Sequence, residues 1–353
     1  SLSVFSQGCS DAGVCTAGPI GELSITDSAA TLQDPPHMFR LTFSYAIGEQ
    51  NTTILQVVPE IALGLTDRWG LQFRVPYMSV DGNLGSNSGM GDAVVTTSYA
   101  IENDGVRRLD AIVGAKFPAN KADAEVDGKP LPMPYQTSLG TTDLLLGVNF
   151  RSKRWSMALA YQHVLSNENA NGFRHNSWPG NEDAKGYFES WELDRADDAV
   201  ARLQYAVPWK QFIVQPGLLA IYHTTEDTRL VQEPDFAGVV PATPERIIVS
   251  GSQGLTLNLT VDARYRMNAA WSIEASFGSP VVTRDVRPDG LTRSLVLNAG
   301  LAYRFLPVGP SYQSAEEAQQ LAALLEELPK PVLLFCRSGT RSTRLFLMAS
   351  QID

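Results

Sequence analysis

Residues 255–265 read LTLNLTVDARY, and apolar and polar side chains alternate through the whole stretch. The odd positions carry Leu, Leu, Leu, Val, Ala and Tyr, whereas the even positions carry Thr, Asn, Thr, Asp and Arg. Because the side chains of a β-strand point alternately to its two faces, the pattern predicts a strand with one apolar and one polar face. A tilted strand of about 9–11 residues is long enough to cross a lipid bilayer.

Similar two-faced segments recur along most of the chain. They are MFRLTFSYAI (38–47), ILQVVPEIALGL (54–65), WGLQFRVPY (69–77), GDAVVTTSYAI (91–101), RLDAIVGAKF (108–117), TDLLLGVNF (142–150), WSMALAYQHV (155–164), DAVARLQYAV (198–207), FIVQPGLLAIY (212–222), WSIEASFG (271–278) and SLVLNAGLAYRF (294–305). With 255–265 the sequence predicts about twelve strands. An even strand number is typical of single-chain bacterial membrane barrels.

The connections between these segments alternate in length. The links TDR, ENDGV, RSKR, PWK and MNA are very short, whereas residues 118–140, 165–190 and 224–253 form long links. Outer-membrane barrels have short periplasmic turns and long external loops. Trp69, Trp155, Trp209 and Trp271 lie at or beside the short links, where aromatic rings mark the membrane interface. We therefore predict an all-β transmembrane antiparallel barrel over 37–305, located in the outer membrane of a Gram-negative bacterium.

Composition narrows the class of protein further. The 353-residue chain has a net charge of −10, which argues against nucleic acid as a partner. It contains no run of eighteen apolar residues, so a helical membrane protein is not expected. A soluble β-sandwich is the other all-β option, but a sandwich rarely sustains twelve segments of this length. The sequence predicts no cofactor and no metal site.

Several stretches resemble a family of outer-membrane transporters named for the phenol meta-degradation pathway. They are IALGLTDRWGLQFRVPY, GMGDAVVTTSYAI, GAKFPANKAD and LGTTDLLLGVNF, and the resemblance extends over about residues 37–305. It implies a channel or uptake pore for small solutes, hydrophobic or aromatic ones included. No solute-binding residue is implied by it.

In such a barrel the polar faces of the strands would line the lumen. Lumen-lining charged and amide residues are then predicted at Glu60, Gln72, Arg74, Asp110, Lys116, Asp143, Arg202, Gln204, Asp262, Arg264, Glu274 and Arg304. They form either a polar pathway or mutually paired filler of a narrow barrel, and the sequence favours neither. The expected partners are outer-membrane lipid, lipopolysaccharide and a small solute.

Residues 1–36 form a polar leader that contains Cys9 and Cys15. In an oxidising periplasm this pair predicts a small disulfide loop, and two thiols without a nearby histidine make an incomplete metal site. No signal peptide precedes the leader in this sequence, so we expect that one has been removed. Both chain termini are predicted to be periplasmic.

The tail, residues 306–353, has a different pattern. Ser314 and Glu317 form a predicted helix cap, and PVLLFCRSGTRST (331–343) predicts a strand followed by a cysteine-led loop and a helix. Such a loop binds anions and lowers the pKa of a thiol. From about residue 298 the tail resembles the C-terminal half of rhodanese and tyrosine-phosphatase-like domains, especially those associated with β-lactamase-like hydrolases. The resemblance implies Cys336 as a nucleophile and Arg341 as an oxyanion ligand, in a partial domain that shares barrel residues.

Three functions therefore compete. The first is an outer-membrane channel; the second is a structural barrel in an envelope complex with a periplasmic or envelope protein partner; the third is sulfurtransferase or phosphatase chemistry at Cys336. A fourth, acyl hydrolysis, comes from YQHVLSNENANGFRHNSW, which resembles the outer-membrane phospholipase family. There His163 and Ser166 are three residues apart and would point to opposite faces of an unbroken strand, so His163 is expected to lie simply at the outer rim.

Overall fold

The computed structural model describes residues 37–66, 68–104, 106–232, 243–267, 271–291 and 293–305, together with short helical pieces between 319 and 349. The leader with Cys9 and Cys15, and Cys336 and Arg341 of the tail, lie outside the described residues. Twelve strands form the wall of a closed antiparallel barrel. They are β1 (His37–Ile47), β2 (Thr53–Gly64), β3 (Trp69–Arg74), β6 (Ala93–Asn103), β7 (Arg107–Phe117), β10 (Thr141–Ser152), β11 (Trp155–Asn167), β12 (Asp198–Tyr205), β14 (Phe212–His223), β17 (Gly254–Arg266), β18 (Trp271–Val282) and β19 (Leu295–Phe305).

Closure of the barrel depends on β1, which pairs with both β2 and β19. His37 is in register with Leu63 on one side and with Phe305 on the other. A closed wall leaves no strand edge with unpaired backbone groups, which a membrane requires. The prediction of a twelve-stranded antiparallel barrel is confirmed.

The two faces of the wall have the polarity that alternation predicts. On β17, Leu255, Leu259 and Val261 are 40–48% exposed on the outer face. Between them, Thr256 and Asn258 are 1% exposed and point inward. Across the barrel, exposed leucine, valine, isoleucine and phenylalanine side chains form an apolar outer surface suited to lipid.

Aromatic side chains mark the short-turn end of the barrel. Trp69, Trp155, Trp209 and Trp271 are all exposed on the outer surface, as predicted. Three of them stack on the residue opposite them in the neighbouring strand, with ring centroids 4.9 Å apart for Trp69–Tyr99, 4.9 Å for Trp155–Tyr205 and 4.6 Å for Trp271–Tyr303. Such a belt is where amphipathic rings meet lipid headgroups.

The segment predicted as one strand over 69–77 is instead divided between two strands, β3 and β4 (Tyr77–Gly82). Val75 and Pro76 separate them, and Pro76 has no amide hydrogen to donate to a neighbouring strand. A partner strand, β5 (Gly85–Met90), pairs with β4 and continues into β6. Shorter strands are β8 (Glu125–Val126), β9 (Lys129–Pro130), β13 (Val207–Trp209), β15 (Thr228–Val231) and β16 (Glu245–Ile248).

At the opposite end, the long connections fold into the mouth of the barrel. Residues 118–140, 168–197 and 283–291 are called the cap below. Leu131, Tyr135 and Phe173 of the cap are fully buried. They pack against inward-facing side chains of the wall, among them Ile54 and Val80. The cap and the inner side of the wall share this packed core, which joins connections that are far apart in sequence.

Helical structure contributes little to the part of the chain that the structure describes. Four 3-10 turns lie in the connections: Glu49–Asn51, Met133–Tyr135, His175–Ser177 and Asp183–Gly186. Among the described residues, no helix is both long enough and apolar enough to span a bilayer.

Candidate solute pathway in the lumen

Almost all of the predicted lumen residues are described, and they point inward. Glu60, Gln72, Arg74, Lys116 and Gln204 are less than 10% exposed on strands whose neighbouring positions face lipid. The side chain of Arg304 lies outside the described set. These side chains lie on the face opposite the lipid-facing positions, and they fall into four groups.

The first group lies in the short-turn half and joins β1, β2, β17 and β18. Arg40 binds Glu60 through Nη1 at 2.5 Å and Glu274 through Nε at 2.9 Å. Glu274 also accepts from Arg264 at 3.0 Å. Arg40 was not among the predicted lumen residues, although it alternates with Phe39 and Leu41 on the first strand. The group forms a chain of two arginines and two carboxylates along the wall.

A second group connects β12 with β17. Arg202 Nη2 lies 2.7 Å from Asp262 Oδ2, and the Gln204 amide donates to the same carboxylate. Two predicted residues of β12 are thereby tied to one predicted residue of β17, across the strand β14 that lies between them.

The third group lies at the long-loop ends of β7 and β10 and is buried. Lys116 Nζ is 2.8 Å from Asp143, 3.4 Å from Asp92 and 2.9 Å from the Thr141 hydroxyl. Gln162 donates to Asp143 as well. A lysine that is buried to this degree requires such partners, because an isolated buried charge is strongly destabilising.

A fourth group lies at the short-turn ends of the same two strands. Asp110 accepts from Arg108 Nε at 2.7 Å and from Arg151 Nη2 at 3.2 Å. In all four groups opposite charges are paired within one strand, between neighbouring strands or across one intervening strand. The lumen is therefore lined by paired charges with uncharged polar and small side chains between them.

The cap is anchored to the wall by a buried ionic network that sequence reasoning missed. Its members are Arg195, Asp198, His223, Asp227, Arg284 and Asp289, each 6% exposed or less. His223 lies between Asp198 and Asp227, at 2.7 Å from each. Asp289 accepts from Arg284 at 2.5 Å and from Arg195 at 3.2 Å.

The network joins β12 and β14 to three connections. Burial alone would raise the pKa of Asp289, but the guanidiniums of Arg284 and Arg195 outweigh burial and hold this pKa well below its usual value. In the sequence these residues appear only as charged positions in RADD, HTTED and TRDVRPDG, and charged residues in solvent-exposed loops look the same. The residues that pair in the network are up to 94 positions apart in sequence.

A β-bulge in β11 changes the facing of the two residues in the phospholipase-like stretch, His163 and Ser166. Ser166 pairs with Thr142, and Val164 pairs with the next residue, Asp143, so Leu165 is the extra residue of a β-bulge. The expectation that His163 and Ser166 point to opposite faces was wrong, because the bulge restores both to the outer face. His163 Nδ1 is hydrogen-bonded to Asp197 at 2.8 Å and is half exposed at the rim.

The chain is similar to an outer membrane channel from Pseudomonas putida F1, at 16% identity and a TM-score of 0.51, covering 80% of this chain and 100% of that one. It has the fold of outer-membrane β-barrel channels. Weaker likenesses are to the NanC porin (10% identity, TM-score 0.41, 76% and 100% coverage) and the KdgM porin in complex with oligogalacturonate (10%, 0.39, 76% and 99%).

Comparisons by sequence give a different result for the tail. The family model for the beta-lactamase hydrolase-like protein, phosphatase-like domain, matches residues 287–352. The match names a phosphatase-like domain rather than a rhodanese. No curated protein matches the chain. Residues 295–305, which fall within the family match, form β19 and close the barrel in this structure.

Proposed function

We propose that this protein is an outer-membrane channel for small solutes in a Gram-negative bacterium. The supporting observation is the closed twelve-stranded wall, which is apolar outside and lined inside by paired charges and amides. Channels of this kind select solutes through the polar groups and the width of the pathway. The cap packs against inward-facing side chains at the long-loop end of the barrel.

The test is ion conductance of the purified barrel in planar lipid bilayers, together with osmotic swelling of proteoliposomes. We expect small conductance steps and swelling by small solutes. A folded barrel that gives neither would favour the alternative of a structural subunit in an envelope complex. Because the cap shields the lumen, conductance steps should be larger when the cap is loosened by Asp289→Asn, which removes a carboxylate of the buried ionic network.

The proposed orientation has the long loops outside the cell and both termini in the periplasm. It can be tested with single cysteines introduced in a background that lacks Cys9, Cys15 and Cys336. A membrane-impermeant maleimide should label Lys129→Cys, in the β8–β9 hairpin, in intact cells. Asp104→Cys, in a short turn, should be labelled only after lysis. The reverse pattern would overturn the orientation.

Solute class follows from the family resemblance of residues 37–305, which favours small hydrophobic or aromatic compounds. Support from the structure comes from apolar side chains on the lumen side: Val94, Leu145, Val200, Leu219 and Ile221 form one buried cluster. Swelling rates for uncharged aromatic solutes should exceed those for sugars of equal mass.

A second activity, phosphatase-like chemistry at Cys336, is favoured by the family match over 287–352. The match contains CRSGTR, in which Cys336 would attack and Arg341 would bind the oxyanion. Hydrolysis of para-nitrophenyl phosphate by the whole chain, abolished by Cys336→Ser, would establish it. We expect weak turnover at most, because residues 295–305 belong to the barrel. Absence of turnover in the wild type would remove this activity.

A further inference from the structure

Arginines outnumber carboxylates on the inward-facing side of the wall near the short turns. The first group of lumen charges holds two arginines and two glutamates. Arg74 of β3 is in register with Glu60 of this group, and Arg266 follows Arg264 at the next inward-facing position of β17. These two additional arginines give this part of the wall an excess of positive charge. The first group together with Arg74 and Arg266 is called the filter below.

The other groups of the lumen do not offset this excess near the short turns. The second group pairs one arginine with one aspartate, and the fourth has two arginines that share one aspartate. The third group, with one lysine and two aspartates, has the opposite balance. It lies at the long-loop end, and its charged side chains are 8% exposed or less. Among the described residues, the inward-facing charge near the short turns is therefore positive.

Part of this charge is accessible from inside the barrel. The side chains of Arg40, Arg202 and Arg264 are 20–22% exposed, and that of Asp262 is 26% exposed. These side chains point inward from a closed wall, so their exposed surface faces the lumen. Open space also lies beside Gly278 on the inward face of β18, where an added Cβ would meet no atom within 4 Å apart from its chain neighbours.

The rest of the chain carries charge of the opposite sign. The net charge of the chain is −10, and the long links 165–190 and 224–253 each contain more acidic than basic residues. Negative charge at the long-loop mouth would attract cations. The arginines of the lumen would favour anions, as rings of arginine or lysine do in anion pores. The mouth and the lumen therefore predict opposite ion selectivity, and its measured sign distinguishes them.

We propose that the filter makes the barrel an anion-selective channel, which passes small anions, carboxylates among them, in preference to cations of similar size. A guanidinium group is suited to this role because it stays charged and its planar donors match a carboxylate. The proposal rests on the proposed channel function and adds a solute class to it: small solutes that carry an anionic group.

The sign of the selectivity is measured by the zero-current potential of the purified barrel in planar bilayers of uncharged lipid, under a gradient of potassium chloride. We expect chloride to be about fivefold more permeant than potassium, since surface potentials of this kind reach several kT. The preference should weaken as the salt concentration rises, because salt screens the charges of the lumen.

Neutralising variants test whether the filter sets this preference. Arg264→Gln should lower the preference for chloride and Glu274→Gln should raise it, because the two side chains are paired at 3.0 Å and carry opposite charges. The double variant keeps the net charge and should return to the wild-type ratio. Arg246→Gln, at an exposed position of a long link, is the matched control and should not change the ratio. Folding of each variant is checked by the mobility of unheated samples in detergent gels.

A second measurement reports the charge of the lumen without any flux. In a background that lacks Cys9, Cys15 and Cys336, Gly278→Cys places one thiol in the open space of the lumen. Its rates of modification by anionic sulfonatoethyl and cationic trimethylammonioethyl methanethiosulfonate are measured in detergent micelles, each relative to the rate with free mercaptoethanol. We expect the anionic reagent to be about fivefold favoured, and less so when Arg264→Gln is added.

Three outcomes would overturn the proposal: a preference for potassium, a chloride preference that neither Arg264→Gln nor Glu274→Gln changes, and a Gly278→Cys thiol that does not favour the anionic reagent. A barrel that conducts with any of these results keeps the channel function and loses the filter. Favoured anionic modification in a folded barrel that neither conducts nor swells would support the positive lumen and remove the channel function.

Discussion

The two ends of the barrel are built by different physical means. At the short-turn end, Trp69 stacks on Tyr99 directly across the strand pair, and adjacent strands are joined by a few residues. At the long-loop end, the hydroxyl groups of Tyr135 and Tyr187 are in contact inside the buried cap, although the two residues are 52 positions apart in sequence. The short-turn end depends on local register and on lipid, whereas the long-loop end depends on tertiary packing. Perturbations should therefore have large effects on the cap and small effects on the turns.

The largest effect is expected from the ionic network that anchors the cap. Asp289→Asn leaves two buried guanidiniums, Arg195 and Arg284, without their shared carboxylate. Removing one partner of a buried ion pair typically costs about 3–5 kcal/mol. We expect faster hydrogen exchange in residues 131–139 and larger conductance steps, with the barrel strands still protected. Unchanged exchange in the cap would mean that the network does not anchor it.

A smaller, pH-dependent effect is expected at Glu49, in the link between β1 and β2. Burial raises the pKa of this carboxyl to about 7, although Arg287 opposes the shift. Such a carboxyl group stabilises the folded state at pH values below the pKa that the group has in the unfolded chain. This stabilisation is lost as the pH rises through the folded-state pKa of about 7. Protection factors of residues 283–291 should therefore be higher at pH 5 than at pH 8.

The variant Glu49→Gln separates this effect from other titrations. Glutamine cannot ionise, so the protection factors of residues 283–291 should change less between pH 5 and pH 8. A pH dependence equal to that of the wild type would assign the effect to another group, such as His223.

The contrast between the two ends also explains what the sequence could predict. Strand alternation is a local signal, and it located all twelve wall strands. It did not reveal β5, because GSNSGM has no alternation of apolar and polar residues. This segment is a strand because it pairs with β4. The bulge at Leu165 was equally invisible, since one extra residue reverses every facing beyond it.

The cap lay beyond the sequence for a related reason. Asn83, Tyr135 and Tyr187 are joined by hydrogen bonds, yet up to 104 residues separate them.

A moderate effect is expected for the tyrosine pair of the cap. The Tyr187 hydroxyl lies 3.0 Å from that of Tyr135 and 2.5 Å from Asn83 Oδ1. Tyr187→Phe removes both hydrogen bonds but keeps the ring, at a cost of about 1–2 kcal/mol. Exchange in residues 131–139 should increase. Tyr77→Phe, on the outer face where the ring is 48% exposed, is the matched control and should change nothing.

The smallest effect is expected in a short turn, at Asp104. Its carboxylate accepts hydrogen bonds from the backbone amides of Arg107 at 2.6 Å and Val106 at 2.8 Å, and these bonds lower its pKa. Because the pKa is lowered in the folded state, the ionised carboxylate stabilises the turn at pH values above the pKa of the unfolded chain. That stabilisation is lost as the pH falls through the pKa of the folded state. The side chain is exposed to solvent, so water replaces the lost acceptor in Asp104→Ala. We expect an unchanged thermal midpoint at neutral pH, because the register of β6 and β7 is already fixed by their ladder and by the lipid-facing side chains. A loss comparable to that of Asp289→Asn would show that the short turns, like the cap, carry tertiary stability.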